Sequence, residues 1–231
     1  MIMENKWVLI TGSSKGLGKE LAFVFADNNF NVVIHGRDSA KLEEVKKEIL
    51  KRNVECEIVE GDLVEEETIN KLENISKEKN IFVLINNAGY GIKETLEEMD
   101  ENEIDLLVKT NLIAPIKLTK RLILPLEKNN GSIININSVS GLEFQQDRTI
   151  YCASKWGLRG FSETFRLEAL KKGINILNIY LSRVKTRPEF EYGMETAEVV
   201  EKIYEAYKNK EEDLILDDRD EEIKKWKKRK Y

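Results

Sequence analysis

At 231 residues, with 41% hydrophobic and 34% charged side chains, the chain has the size of one large α/β domain and enough apolar material to cover both faces of a sheet. A formal net charge of −5 argues against nucleic acid as the main partner, and no apolar run approaches the length of a membrane span. Two cysteines, Cys56 and Cys152, in a chain without a recognisable secretory signal, point to reduced thiols and a cytoplasmic protein.

Short Val- and Ile-rich runs alternate with longer amphipathic ones along the whole chain. Strands are predicted at residues 6–10, 31–35, 55–60, 82–85, 132–137, 175–180 and 213–216, and helices at 16–28, 40–51, 65–77, 101–126, 150–171 and 196–208. Ser39 and Asp62 supply start signals for the second and third helices. Strict β-α alternation of this kind predicts a doubly wound, Rossmann-type, mostly parallel seven-stranded sheet with helices on both faces. With no repeat, no low-complexity segment and three prolines, a single domain over 1–231 is the economical reading. The stretch 217–231 breaks the rhythm: an acidic start and a basic end around Trp226 read as a charged, solvated terminal helix whose ends suit its dipole.

The first strand ends in Thr11-Gly12-Ser13-Ser14-Lys15-Gly16-Leu17-Gly18 and reopens as a helix. Such a turn aims free backbone N–H groups, and the positive end of the helix dipole, at one point, which makes an anion site. The spacing matches neither a P-loop, since no Gly-Lys-Ser/Thr follows at the required distance, nor G-x-G-x-x-G. A phosphotransferase is excluded on that ground, and the loop itself predicts phosphate binding through Gly12, Ser14, Lys15, Gly16, Leu17 and Gly18.

In an open α/β sheet the ligand lies beyond the carboxyl ends of the strands. The residues that follow the strands are small and polar throughout: His35-Gly36-Arg37-Asp38, Gly61-Asp62-Leu63, Asn86-Asn87-Ala88-Gly89, Ser138-Val139-Ser140-Gly141 and Ser182-Arg183-Val184-Lys185-Thr186. The position about 20 residues beyond the glycines decides between dinucleotides, because an acid there takes the ribose 2′-OH and an Arg takes a 2′-phosphate. Arg37 comes first and Asp38 second, and Lys15 reaches the same point from the turn, so NADP(H) is favoured over NAD(H). The alternative leaves Lys15 solvated and gives Asp38 to a ribose hydroxyl or to capping the next helix.

Tyr151 and Lys155 stand four apart on the helix 150–171 and so share a face. A phenol with a reference pKa of about 10 is a poor acid or base at neutral pH, and an adjacent ammonium favours the phenolate. Ser138, at a strand end, is placed to hydrogen-bond the same substrate oxygen.

Taken together, the T-G-x-x-x-G-x-G loop, Asn86-Asn87-Ala88-Gly89, Asn111, Ser138 and Tyr151/Lys155 resemble the short-chain dehydrogenase/reductase family, from about residue 6 to 186 and more weakly to 216. The resemblance implies Tyr151 as proton donor to a carbonyl or acceptor from an alcohol. It implies Lys155 on the nicotinamide ribose, Ser138 on the substrate oxygen, and Asn111 positioning a water in a relay through Lys155. Asp62 and Leu63 would lie at the adenine, Asn87, Ala88 and Gly89 at the adenosine ribose, and Val184 and Thr186 at the carboxamide. Basic residues at the positions of Lys15 and Arg37 accompany NADP(H) in the family.

Three departures stand out. Leu181-Ser182 replaces the usual Pro-Gly, only about nine residues separate Thr186 from the next helix, and the glycine-rich end after the last strand is missing. The last of these bears on tetramer contacts, whereas the helices 101–126 and 150–171 support a homodimer. Tyr90, Ser140, Phe144, Gln145, Phe190, Tyr192 and Met194 are positioned to line a small-molecule pocket, each with packing as the plainer reading, and His35 is a poor catalytic candidate. The expectation is an NADPH-dependent oxidoreductase acting on a carbonyl or secondary alcohol. A 3-oxoacyl-thioester reductase and a non-enzymatic NADP-binding sensor are the alternatives, and the latter would have no need of Ser138, Tyr151, Lys155 and Asn111 together.

Overall fold

The computed structural model of the chain describes residues 6–186, 191–221 and 223–224. Seven strands, β1 (Trp7–Ile10), β2 (Asn31–Gly36), β3 (Cys56–Glu60), β4 (Ile81–Asn86), β5 (Ser132–Ser138), β6 (Asn175–Leu181) and β7 (Asp213–Leu216), pair in the order β3-β2-β1-β4-β5-β6-β7. Every pairing is parallel. The helices are α1 (Gly16–Asp27), α2 (Ser39–Leu50), α3 (Glu66–Glu78), α4 (Glu101–Val108), α5 (Ala114–Lys128), α6 (Thr149–Leu170) and α7 (Thr196–Lys208).

Alternation along the strands builds a core on each face. Val8 and Ile10 of β1 join α1, α2 and α7 in one apolar cluster. Trp7 and Leu9 join α3, α5 and α6 in the other. The chain builds outward from β1 to β3 and then returns to β4 on the other side of β1, so the order reverses between β1 and β4. A crevice forms at the carboxyl ends of the strands at such a switch point. Across β4, β5 and β6 a row of buried asparagines stands in register, Asn86 opposite Asn135 and Asn135 opposite Asn178. Asn86 donates to Asn135 at 2.9 Å, and Asn135 donates to Ser162 at 2.9 Å. A one-residue slip of β5 would turn Asn135 to the opposite face and strand these amides, so the row helps to fix register.

The helix expected over 101–126 is interrupted. Lys109–Ile113 forms a π-turn between α4 and α5. Its cause is legible in the chain: the α-helical partner of the Asn111 carbonyl would be the N–H of residue 115, and Pro115 has none. Asp38, not Ser39, caps α2, accepting from the Lys41 N–H at 3.1 Å. Asp62 does not cap α3 but closes the preceding turn on the Val64 N–H at 3.2 Å. The described part of the C-terminal stretch is irregular, with no helix in residues 217–221 or 223–224. The rest of the expected tail helix lies outside the described residues, as does Phe190. No helix among the described residues is long and apolar enough to cross a membrane.

Candidate active site

The turn after β1 is built by glycine geometry and by inward-facing side chains. Gly12 and Gly16 hold φ of +66° and +57°, a region that L side chains rarely adopt. A Cβ on Gly12 would sit 2.8 Å from the Ala88 Cα. Asn87 donates its side-chain amide to the carbonyls of Thr11 and Gly12, at 2.8 and 3.0 Å. In return the Thr11 hydroxyl accepts the N–H groups of Asn87 and Ala88, both at 3.0 Å. Ser13 is fully buried, donating to the Ile10 carbonyl and accepting from the His35 N–H. The side chain of Asn87 thus braces the turn, and the residue also lines the cleft beside it. No side chain caps the first turn of α1 and none of its residues is acidic, which leaves the helix dipole open to an anion.

His35 completes this scaffold, a role the sequence reading missed. Its Nδ1 accepts the Gly12 N–H at 3.3 Å while Nε2 lies 3.1 Å from the Gly61 carbonyl. A carbonyl only accepts, so Nε2 carries the proton and the ring is neutral. Burial pushes its pKa down to about 4.

The turn walls one side of a cleft of about 470 Å³ that is also lined by Leu17, Arg37, Asp62, Leu63, Asn87, Ala88, Gly89 and Thr186. At one end, the Arg37 guanidinium pairs with Asp62 at 3.2 Å. Asp38 pairs with Lys41 at 2.6 Å, and hydrogen bonds from the Lys41 ammonium and N–H hold its carboxyl below the usual range, with Lys15 adding charge. Lys15 and Arg37 are the cations that line this cleft, and the Asp38–Lys41 pair lies outside its lining.

At the ends of β5 and β6 a second cluster forms. Ser138 acts on the Tyr151 phenol, and the Tyr151 ring lies against Gly91, where a Cβ would come within 3.1 Å of it. Lys155 is buried; its Nζ donates to the Ile136 carbonyl at 3.0 Å and lies 5.9 Å from the centroid of the Tyr151 ring. Burial pushes the Lys155 pKa down to about 8. It also pushes the Tyr151 phenol up from its ordinary value, with the Ser138 hydrogen bond and Arg148 acting against it. At Tyr151 desolvation dominates, and the charge that opposes it comes from Arg148.

Asn111 lies on the π-turn between α4 and α5. Its side chain is buried and clamps the backbone of Tyr90, accepting its N–H at 3.0 Å and donating to its carbonyl at 2.8 Å, with Ser154 as a further acceptor.

Among the pocket candidates, Ser140 and Gln145 are hydrogen-bonded into the loop after β5, and Phe144 stacks on Trp156 at 5.3 Å while 59% exposed. Tyr192 is exposed. Met194 packs against the core and bridges Val184, so it is a packing residue. Tyr90 hydrogen-bonds Glu103 at the wall of the cleft. Ser182, standing where the family has glycine, donates its hydroxyl to Asp218 at 2.7 Å and its N–H to the Leu216 carbonyl. Cys56 and Cys152 are free and buried.

The sequence model of the short chain dehydrogenase family matches residues 6–193. The chain belongs to that family. Sepiapterin reductase of Chlorobaculum tepidum is 31% identical over 189 residues, 78% of each chain. The bulky-bulky ketone specific alcohol dehydrogenase of Comamonas testosteroni superposes with a TM-score of 0.87 at 28% identity, covering 96% of this chain and 89% of that one. A short-chain dehydrogenase of Sphingobium yanoikuyae, solved in complex with NADPH, gives a TM-score of 0.83 at 25% identity over 91% and 87% of the two chains. In this short-chain dehydrogenase the glycine turn lies at one end of the carboxyl edge of the sheet and the Ser138, Tyr151 and Lys155 side chains at the other.

Proposed function

We propose that the protein is an NADPH-dependent oxidoreductase that reduces a small carbonyl compound or, in reverse, oxidises a secondary alcohol. The observation that carries this reading is the gathering of Ser138, Tyr151 and a buried Lys155, whose ammonium lies 5.9 Å from the Tyr151 ring centre, at the same sheet edge as the glycine-turn cleft. A non-enzymatic binding protein would have no use for that cluster.

The glycine turn fits a dinucleotide: positive φ at Gly12 and Gly16 and an uncapped α1 N-terminus suit a pyrophosphate. Gly12, Ser14, Gly16, Leu17 and Gly18 would hold the phosphates, Asp62 and Leu63 the adenine, Ala88 and Gly89 the adjoining ribose, and Val184 and Thr186 the carboxamide. When bound, the cofactor supplies or accepts the hydride. Tyr151, kept protonated by burial, gives its proton to the substrate oxygen in reduction. Ser138 orients that oxygen, and Lys155, still largely charged at neutral pH with its pKa of about 8, holds ribose hydroxyls and restores the proton through its own N–H groups. The Asn111 carbonyl extends that route to a water.

Lys15 and Arg37 at the adenosine end favour a 2′-phosphate. Charge-assisted hydrogen bonds are worth about 1.5–3 kcal/mol each, so Lys15→Ala with Arg37→Ala is expected to weaken NADPH binding about 100-fold and leave NADH nearly unchanged. Titration by nicotinamide fluorescence checks this; equal losses for both cofactors would contradict the NADP assignment. The groove between α5 and α6, lined by Ile116, Ile123 and Phe161, and the exposed Leu124 and Leu167 fit a homodimer, and light scattering is expected to give twice the chain mass. A monomeric mass would remove that part of the reading.

A further inference from the structure

The loop that follows β5 carries a hydrogen-bonded chain that leads away from Ser138 to the C-terminal segment. Ser138 Oγ lies 3.2 Å from Ser140 Oγ, and Ser140 Oγ donates to Gln145 Oε1 at 2.9 Å. Gln145 Nε2 donates to Glu143 Oε1 at 2.7 Å. The same carboxylate oxygen accepts Arg219 Nη1 at 2.7 Å, and Arg219 grips Asp217 through Nε and Nη2, both at 2.8 Å. Glu143, Ser140 and the Asp217 side chain are buried. The second oxygen of Glu143 has no hydrogen-bond partner among the described residues, so Arg219 and Gln145 are what hold its charge.

The chain has an imposed direction. An ionised carboxylate accepts only, so Gln145 must turn its NH₂ toward Glu143 and its carbonyl toward Ser140. Ser140 must then donate to Gln145, which leaves its lone pairs for Ser138. Ser138 is thereby the donor of the pair, while its own oxygen takes the Ser140 N–H at 3.1 Å. A hydroxyl oriented this way offers its proton to an arriving carbonyl oxygen by a small rotation, with its oxygen already hydrogen-bonded. Removing the charge at Glu143, or its guanidinium partner, frees the Gln145 amide to flip and the serine hydroxyls to reverse.

We infer that Arg219 and Glu143 are a positioning pair that sets the direction of the Ser138 hydroxyl from the C-terminal segment, an inference that rests on the reductase reading of the Ser138, Tyr151 and Lys155 cluster. Ser182 to Asp218 adds a second tie, so residues 217–219 strap the loop after β6 to the loop after β5. This segment stands where the family's glycine-rich end is missing, and it places a charged device beside a site otherwise built of hydroxyls.

The test is a double-mutant cycle on ketone reduction, using a ketone that the wild type turns over with NADPH. Arg219→Met is expected to lower kcat about tenfold, with KM for the ketone changed far less and NADPH affinity within about twofold as the check on folding. Glu143→Gln, which keeps the side chain's size and leaves no unpaired carboxylate, is expected to do the same, and Arg219→Lys to recover most of the loss. Gln145→Leu cuts the relay: if Arg219 acts through it, adding Arg219→Met to Gln145→Leu costs nothing further. Additive losses, or a kcat untouched by Arg219→Met and Glu143→Gln, would overturn the inference while leaving the reductase reading in place. Absence of wild-type turnover across aldehydes, ketones and acyl thioesters would sink the reductase reading and the inference with it.

Discussion

At the glycine-turn end of the cleft, Thr11, Ser13, His35 and Asn87 commit their side chains to backbone groups, and the surface left for a ligand is mostly backbone N–H and glycine. At the other end, Ser138, Ser140, Gln145, Glu143 and Arg219 bond side chain to side chain, and Lys155 alone among the cluster turns to a carbonyl. The first arrangement is rigid because each brace closes a short ring onto fixed backbone. The second is adjustable, because its direction depends on one charge and on amide and hydroxyl rotors. A site that must always seat the same phosphates suits the first, and one that must deliver a proton on arrival of a substrate suits the second.

The backbone-built end is the easier to break. Gly12→Val places a β-branched residue at φ +66° with its Cβ 2.8 Å from the Ala88 Cα, and neither strand can retreat. NADPH affinity is expected to fall several hundred-fold, roughly 3–4 kcal/mol from strain and lost phosphate contacts together, while far-UV circular dichroism stays native. Near-native affinity would mean that the turn does not bind phosphate.

His35 sharpens the same comparison through pH. Its pKa is about 4 in the folded chain against an ordinary 6.5. Above pH 6.5 the ring is neutral in both states and contributes nothing to any slope. Between 6.5 and 4 only the unfolded chain takes up the proton, so stability is lost as pH falls, reaching about 3 kcal/mol below pH 4. The expected result is a urea midpoint that drops more steeply from pH 7 to pH 5 in the wild type than in His35→Gln, with the difference near 2 kcal/mol at pH 5. Parallel slopes would show that the ring is not held neutral between Gly12 and Gly61.

How much of this could be read from the chain follows the same division. The sheet, the glycine turn, Arg37 and the Tyr151/Lys155 pair were legible because each is a local pattern: hydrophobic period, glycine spacing, or two residues one helical turn apart. The strands came out within two residues at every end. The π-turn was in principle legible from Pro115 placed four residues after Asn111, but helical periodicity on both sides of it concealed the break. Periodicity put Lys155 on the face of Tyr151, where its ammonium does lie, but could not show the Ile136 carbonyl that it also bonds. Glu143 and Arg219 were out of reach because they lie 76 residues apart and meet only through the pairing of β7 beside β6. The irregular segment that carries Arg219 looked, from its charges alone, like a solvated helix.

The proposed proton donor is where these arguments converge, so the most direct test is Tyr151→Phe, which removes one oxygen and keeps the ring against Gly91. NADPH oxidation is followed at the nicotinamide absorbance band with a ketone that the wild type reduces, alongside NADPH binding. The account predicts a fall in kcat of about 10³-fold, in the range of a lost general acid, with NADPH affinity unchanged. Turnover of Tyr151→Phe within a few-fold of the wild type would contradict it.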